Sequence, residues 1–376
     1  MNASNPTGIN NVSSMNYPSC DDPPETENII MTVYLVVILV LTVAGNLLVI
    51  AVVIAYQRLQ QVTNYFIVSL AVADLLIAAL TLPLTINTNL NNGIWCLSLS
   101  SCGVWLAVDS MCSAASICNL AAISLDRFIA ITSPFRYREL VTRNRAFIVL
   151  GAIWVYSLAW GCLCLLNWQD SDKPAIAVSF NGQPIACQRT EPIYYTVAAA
   201  LAFFVPLLIV LTAYSVILKV AITQAKAVAA LDLNRDRRKK TNFFREVKAT
   251  KTVALVIGAF VISWLPVFIL LMLSLWDKDY TNNFRVNYPE LQKAIFYIFL
   301  RILPPLNSCI NPIIYAVFNS NFRSAFLKFL RCPQRMQQDD MNHSMATTST
   351  SRSPQRTTYS TMVPDQPETG NNNTET

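Results

Sequence analysis

The sequence predicts an all-α membrane protein, a seven-transmembrane helix bundle with a short amphipathic eighth helix. Three observations predict it. Seven apolar stretches run approximately Ile29–Ala55, Asn64–Ile86, Ser101–Ile131, Ala146–Leu166, Ile193–Ile222, Glu246–Leu275 and Leu291–Val317, and each reaches the roughly 20 residues a helix needs to cross a bilayer. The chain is 53% hydrophobic and only 13% charged, with a mean hydropathy of +0.40, far from the composition of a soluble domain. The basic residues gather in alternate connections between the stretches.

That last pattern sets the expected orientation. No Lys or Arg precedes Arg58. Arg136, Arg138, Arg143 and Arg145 follow the third span, Arg235 through Lys240 the fifth, and Arg323, Lys328, Arg331 and Arg335 the seventh. Basic residues mark cytoplasmic loops, so the amino terminus is expected outside and the carboxyl terminus inside a plasma membrane crossed many times. The net charge of +6 is thereby read as membrane topology and not as a nucleic-acid footprint; residues 235–240 also suit anionic lipid. Asn2 and Asn11 open glycosylation sequons in the outer segment. The first apolar run is too long for a cleavable leader, so the first helix is expected to direct its own insertion. The expected organisation is an extracellular segment 1–28, a seven-span bundle 29–317, an amphipathic helix 318–332 and a disordered tail 333–376.

The ten cysteines divide by side. Cys112, Cys118, Cys162, Cys164 and Cys309 lie in spans and read as small packing residues. Cys20, Cys96, Cys102 and Cys187 fall on the oxidising side. A Cys102–Cys187 bridge would pin the long loop before the fifth span over the bundle mouth, and Cys20 with Cys96 is the candidate for a second bridge. The tail helix alternates Phe322, Phe326, Phe329 and Leu330 with Arg323 and Lys328, which suits the inner leaflet. Cys332 beyond it is a candidate for palmitoylation.

Function is sought at the polar residues inside the spans, since a polar group in hydrocarbon is costly. These are Asn46, Asp74, Asp109, Asp126, Arg127, Asn307 and Asn311. Asp109 and Arg127 are 18 residues apart, five turns of one helix, so they share a face roughly 27 Å apart along the axis. Ser113, Ser116, Leu120 and Ile123 fall near that face. Asp74, Ser116, Asn307, Ser308 and Asn311 supply hard oxygen atoms for a Na⁺ ion; the alternative is a hydrogen-bonded network with Asp74 protonated. No other cofactor is called for. Pro206, Pro266 and Pro312 are expected to interrupt their spans. Phe260, Trp264 and Phe268 form an aromatic stripe around Pro266 at the depth of Asp109.

Taken in order, the following motifs resemble the rhodopsin-like (class A) G-protein-coupled receptors. They are Gly45-Asn46, the run Leu70 to Asp74, Cys102, Asp126-Arg127-Phe128, Trp154, Pro206 and Tyr214, Phe260 to Pro266, and Asn311-Pro312 to Tyr315. Phe128 departs from the usual Tyr. The resemblance implies that Asp126 and Glu246 hold Arg127, and that its release opens a cavity for a heterotrimeric G protein. It also implies that Tyr214 and Tyr315 stabilise the open state, that Ile117, Pro206 and Phe260 form a connector below the pocket, and that Pro134-Phe135 contacts the G protein. Thr347 to Thr350 and Thr357-Thr358 would, when phosphorylated by a receptor kinase, recruit arrestin.

Asp109, seven residues after Cys102, is similar to the carboxylate that pairs with a ligand ammonium in the amine receptors, with Trp264 and Phe268 offering cation–π faces. The expected ligand is therefore a small extracellular amine, bound through Asp109, Ser113, Trp264 and Phe268. Ala198, Ala199 and Ala202 depart from the serines of catecholamine receptors, and Val267 replaces an aromatic. Arg301 stands at the expected rim, within reach of Asp109, and if paired with it would favour a peptide or zwitterionic ligand. An opsin is excluded by the absence of a lysine in Ile302–Asn307. No internal repeat supports a transporter or channel, and a single histidine, His343, with no nucleophile–base pair argues against an enzyme.

Overall fold

The computed structural model describes residues 19–168, 175–180, 183–189, 191–230 and 237–331. It divides into two units, residues 1–327 and 328–376, and of the second only 328–331 are described. Asn2, Asn11, Cys332 and the tail with its threonines lie outside the described residues.

Seven helices of the first unit are long and apolar enough to cross a membrane: Thr26–Ala55, Val62–Leu90, Leu99–Thr132, Arg143–Leu163, Pro192–Val220, Thr252–Trp276 and Pro289–Phe318. They match the seven apolar stretches to within a few residues. The largest difference is the sixth, whose helix starts at Arg237, well before its apolar part. Hydrogen bonding does not stop where apolarity does, and Arg, Lys and Glu continue a helix readily. Ile54, Ile148, Val155, Leu218 and Ile262 are exposed on the flanks of the bundle; lipid, not water, is the solvent that suits them.

Prolines act in two ways. A π-helical turn precedes Pro83 (Ile77–Thr81), Pro206 (Ala199–Phe204) and Pro304 (Tyr297–Ile302). The proline ring clashes with the carbonyl one turn back and offers no N–H, and the wider turn gives it room. Pro266 and Pro312, expected to interrupt their spans, instead lie inside continuous helices. One missing backbone hydrogen bond is tolerated where the flanking bonds remain and neighbouring helices support the segment.

The third span packs against the second, fourth, fifth and sixth, and the first against the second and seventh. Small residues allow the closest approaches: a Cβ on Gly45 would stand 2.9 Å from Pro312, and one on Gly161 would stand 2.9 Å from the Ala107 carbonyl. Asn46 donates to the Ser308 carbonyl at 3.1 Å and Trp154 to Ser69 at 3.1 Å, so polar contacts join spans that apolar side chains alone would leave free to slide. The last helix, Ser320–Arg331, buries Phe322, Ala325 and Phe326, and Phe322 stacks on Tyr315 at 5.4 Å.

One end of the bundle is closed by a hairpin of β1 (Ile176–Phe180) and β2 (Gln183–Arg189), antiparallel, with Ile176 opposite Arg189. Cys187 on β2 is bonded to Cys102, Cα–Cα 5.7 Å. Cys20 is bonded to Cys96, Cα–Cα 5.8 Å, so both expected bridges form. Asn92 and Gly93 adopt left-handed conformations, φ 56° and 86°. The Asn92 amide accepts from Glu25 N–H at 2.9 Å and donates to the Pro23 carbonyl at 3.1 Å, tying the amino-terminal strap to this turn.

A buried ion pair anchors the hairpin to the fourth and fifth spans, and nothing in the sequence pattern singled it out. Arg189 donates to Glu191 and to the Leu166 carbonyl, each at 2.5 Å, and also to the Cys164 carbonyl. Its guanidinium lies 4.5 Å from the Tyr194 ring centroid. The Glu191 carboxylate accepts twice from Trp168 N–H, at 3.1 and 3.0 Å. Glu191→Ala would leave the Arg189 charge without this carboxylate, at a cost of about 3–5 kcal/mol. The expected result is a lower thermal midpoint and less protein at the cell surface, with most of the loss recovered when Arg189→Met is added. Equal stability of Glu191→Ala and the parent would show that the pair does not anchor the loop.

Candidate functional site

Three polar centres follow the bundle axis. The first surrounds Asp109, ten residues into the third span from Leu99, roughly 15 Å down the helix. Among the described residues its carboxylate makes no ion pair and no hydrogen bond. Ser113, one turn further in, has a buried Oγ without a protein partner, and so does Trp264 at Nε1. Trp264 lies between Phe260 and Phe268, at 6.3 and 6.2 Å between ring centroids. The third span thus carries an unmatched carboxylate and hydroxyl, and the sixth span an aromatic stripe with one unmatched indole N–H.

Phe203 was absent from the expected set and widens that stripe into a wall. It stacks on Phe268 at 4.2 Å and on Phe260 at 6.2 Å. Its signal was local: an aromatic pair, Phe203-Phe204, on the π-helical turn ahead of Pro206. Ala198 and Ala202 pack with Ala114, Trp160 and Tyr194, so this part of the fifth span presents methyl groups to its neighbours.

Arg301, expected within reach of Asp109, turns elsewhere. Its Nη1 donates to Asn89 Oδ1 at 3.1 Å, and among the described residues no ion pair joins it to Asp109. The reason is depth. Trp105, one turn from Asp109, donates to Thr85 at 3.3 Å, and Asn89 is one turn beyond Thr85. Asp109 and the Arg301 guanidinium therefore stand about two turns apart, roughly 11 Å along the axis.

The second centre lies at mid-depth. Asp74 is fully buried. Its Oδ2 accepts from Asn311 Nδ2 at 3.0 Å, while its Oδ1 has no protein partner. Asn307, one turn from Asn311, carries another buried oxygen without a partner. Ser116 and Ser308 are also buried. Two unmatched acceptor oxygens cannot satisfy one another, so the residue set fits a hard cation or a donor.

The third centre is at the end away from the disulfides. Arg127 donates to Asp126 Oδ2 from Nη2 at 2.6 Å and from Nε at 3.0 Å. Thr63 at the start of the second span bonds both residues. Tyr137, on the short helix Pro134–Leu140, donates to Asp126 Oδ1 at 2.9 Å. Burial first, and then the Asp126 charge, push the Tyr137 hydroxyl up to about 12, so it remains a donor. Thr63 and Tyr137 were missed because each lies outside the motif that carries Asp126-Arg127 and only folding brings them to it. The Glu246 side chain lies outside the described residues. Nearby, Tyr214 has a buried hydroxyl without a protein partner; between this centre and the aromatic wall Ile117 is buried, as is Phe260 within the wall, and Pro206 follows its π-helical turn. Phe135 is 95% exposed.

Comparison with known proteins agrees with this geometry. The family model described as the 7 transmembrane receptor (rhodopsin family) matches residues 45–315, well over half of the chain. The D(1C) dopamine receptor of Xenopus laevis is 34% identical over 307 residues, covering 77% of this chain and 65% of that receptor. The Alpha-1A adrenergic receptor of Rattus norvegicus is 33% identical over 356 residues, covering 85% of this chain and 72% of that receptor. The D(5)-like dopamine receptor of Takifugu rubripes is 35% identical over 313 residues, again with 65% of its length covered. The chain thus spans somewhat less than two thirds of these two dopamine receptors. The family model and these relatives are receptors, not enzymes or transporters. With seven spans, two bridges at one end and an ordered set of polar residues between them, the chain belongs to the rhodopsin family of seven-transmembrane receptors.

Proposed function

We propose that this chain is a plasma-membrane G-protein-coupled receptor whose extracellular ligand presents an ammonium group to Asp109. The observation that carries the reading is the unmatched Asp109 carboxylate inside an apolar span. A carboxylate held without a partner in a low-dielectric site is costly, and a cationic ligand offsets that cost by a charge-assisted bond. The dopamine and adrenergic names of the relatives point to the same ligand class. Ala198, Ala199 and Ala202 offer no hydroxyl to a catechol, so the ligand is read as an amine without one.

The disulfide end is taken as extracellular, since bridges persist in oxidising surroundings. The Arg127 end is then cytoplasmic, where exposed Phe135 offers an apolar contact to the G protein. Ligand contact moves the wall of Phe203, Phe268, Trp264 and Phe260, and the fifth and sixth spans shift about Pro206 and Ile117. Arg127 then leaves Asp126, Thr63 and Glu246, and Tyr214 and Tyr315 support the opened end. A bound Na⁺ would neutralise Asp74 with help from Ser116, Asn307, Ser308 and Asn311, and would favour the resting arrangement. Cys332, the sequons Asn2 and Asn11, and the kinase and arrestin sites of the tail keep the roles expected of them.

Three outcomes are expected. Asp109→Ala reduces the potency of amine agonists by about 2–5 kcal/mol, the usual cost of truncating one member of a charge pair; dose–response curves at matched surface expression that coincide with the parent would remove the ammonium reading. Tyr137→Phe, Thr63→Val and Glu246→Ala each loosen the resting state and raise ligand-independent signalling, read with G-protein reporters. Added Na⁺ lowers agonist affinity in membranes, and Asp74→Asn abolishes that response; a persisting sodium effect in the variant would place the ion elsewhere.

A further inference from the structure

We propose that the ligand is an elongated zwitterion, its ammonium at Asp109 and an anionic group about 10 Å away at Arg301. This rests on the amine reading and adds a second, opposite charge to it.

Arg301 is a cation held in place but not neutralised. Its Nη1 donates to Asn89 Oδ1 at 3.1 Å. Asn89 is itself fixed and buried, because its amide nitrogen donates to the Asn28 carbonyl at 2.6 Å and to Thr32 Oγ1 at 2.9 Å. With both amide protons used, Oδ1 is aimed at Arg301, and the guanidinium is oriented before anything binds. A guanidinium carries five N–H donors in a planar fork, and this contact uses one. Among the described residues no ion pair joins Arg301 to a carboxylate. Gly93 lies beside Nη2, where an added Cβ would stand at an ordinary contact distance of 3.5 Å.

A simple amine matches only half of this arrangement. Its ammonium gains at Asp109 but passes a fixed positive charge on the way, and like charges in apposition disfavour a partner. A ligand with an anion at its outer end converts that repulsion into a bidentate contact. Solvation of Arg301 at the rim is the competing explanation for its exposure, but it does not account for the fixed Asn89 amide beneath it.

The spacing selects the length. The two charges stand two helical turns apart, about 11 Å along the axis before side-chain reach is considered. In an α-amino acid the charged groups are two bonds apart, about 3 Å, and cannot reach both; an extended chain of three residues spans about 10 Å. The class is therefore a short peptide with free termini, or an arylalkylamine carrying a distal carboxylate, sulfate or phosphate.

The test uses the full chain in cell membranes with three probes: 2-phenylethylamine, 3-[4-(2-aminoethyl)phenyl]propanoic acid and the primary amide of that acid. The acid separates its charges by about 10 Å when extended. Wild type is expected to prefer the acid over the amide by about tenfold or more in competition binding, equivalent to about 1.4 kcal/mol. R301Q should bring that ratio close to one, R301K should retain part of it, and D109N should weaken all three probes. An acid that binds no better than its amide in wild type overturns the proposal, as does a preference that survives R301Q. If R301Q fails to reach the surface, the wild-type ratio decides alone. Binding of 2-phenylethylamine that D109N weakens, together with no preference for the acid, rejects the zwitterion and leaves the amine reading standing. Probes that bind without regard to D109N, or not at all, reject both.

Discussion

A charge in hydrocarbon has no water to fall back on, and the arrangement of this bundle depends on how each buried charge is met. Arg127 is met by Asp126 and Thr63. Arg189 is met by Glu191 and two backbone carbonyls. Asp74 is half met, by Asn311 on one oxygen. Asp109 is met by no described residue. That graded series runs from the Arg189–Glu191 pair, which anchors a loop, to Asp109, where the proposed function places the ligand. The Arg127 cluster is matched in this structure, and the proposed function would have it open on activation.

The same helices combine rigidity with places to yield. Gly45 against Pro312 and Gly161 against Ala107 leave no room between the first and seventh, or the third and fourth, spans. The π-helical turns ahead of Pro83, Pro206 and Pro304 lie instead in spans two, five and seven, toward the disulfide end. These turns store a different hydrogen-bond register from the helix around them. Phe203 rides on the turn before Pro206 and touches Phe260 and Phe268, which places an adjustable backbone segment in direct contact with the aromatic wall.

Much was legible in the chain itself. Seven spans, their limits, the polar residues within them and the four cysteines available for bridging follow from apolar length, from the cost of polarity in lipid and from the side on which each cysteine falls. Those are one-dimensional properties, because a bilayer imposes its thickness and its two compartments on any segment that crosses it. The resemblance of Asp126-Arg127 and Asn311-Pro312 to receptor motifs is likewise local in sequence, and the family match agrees with it.

What only the tertiary structure decided was which distant residues meet. Tyr137 and Thr63 join Asp126 across 11 and 63 positions of chain, and Arg301 chooses Asn89 across 212. Pairings of that kind depend on helix rotation, on relative depth and on where a proline shifts the register, none of which a hydropathy pattern carries. Pro266 and Pro312 show the same limit, for the chain names the residue that removes a hydrogen bond, while the neighbouring helices determine whether the span breaks. The sequence by itself determined which segments span and which polar residues lie inside them; packing alone determined whether each buried charge found a partner.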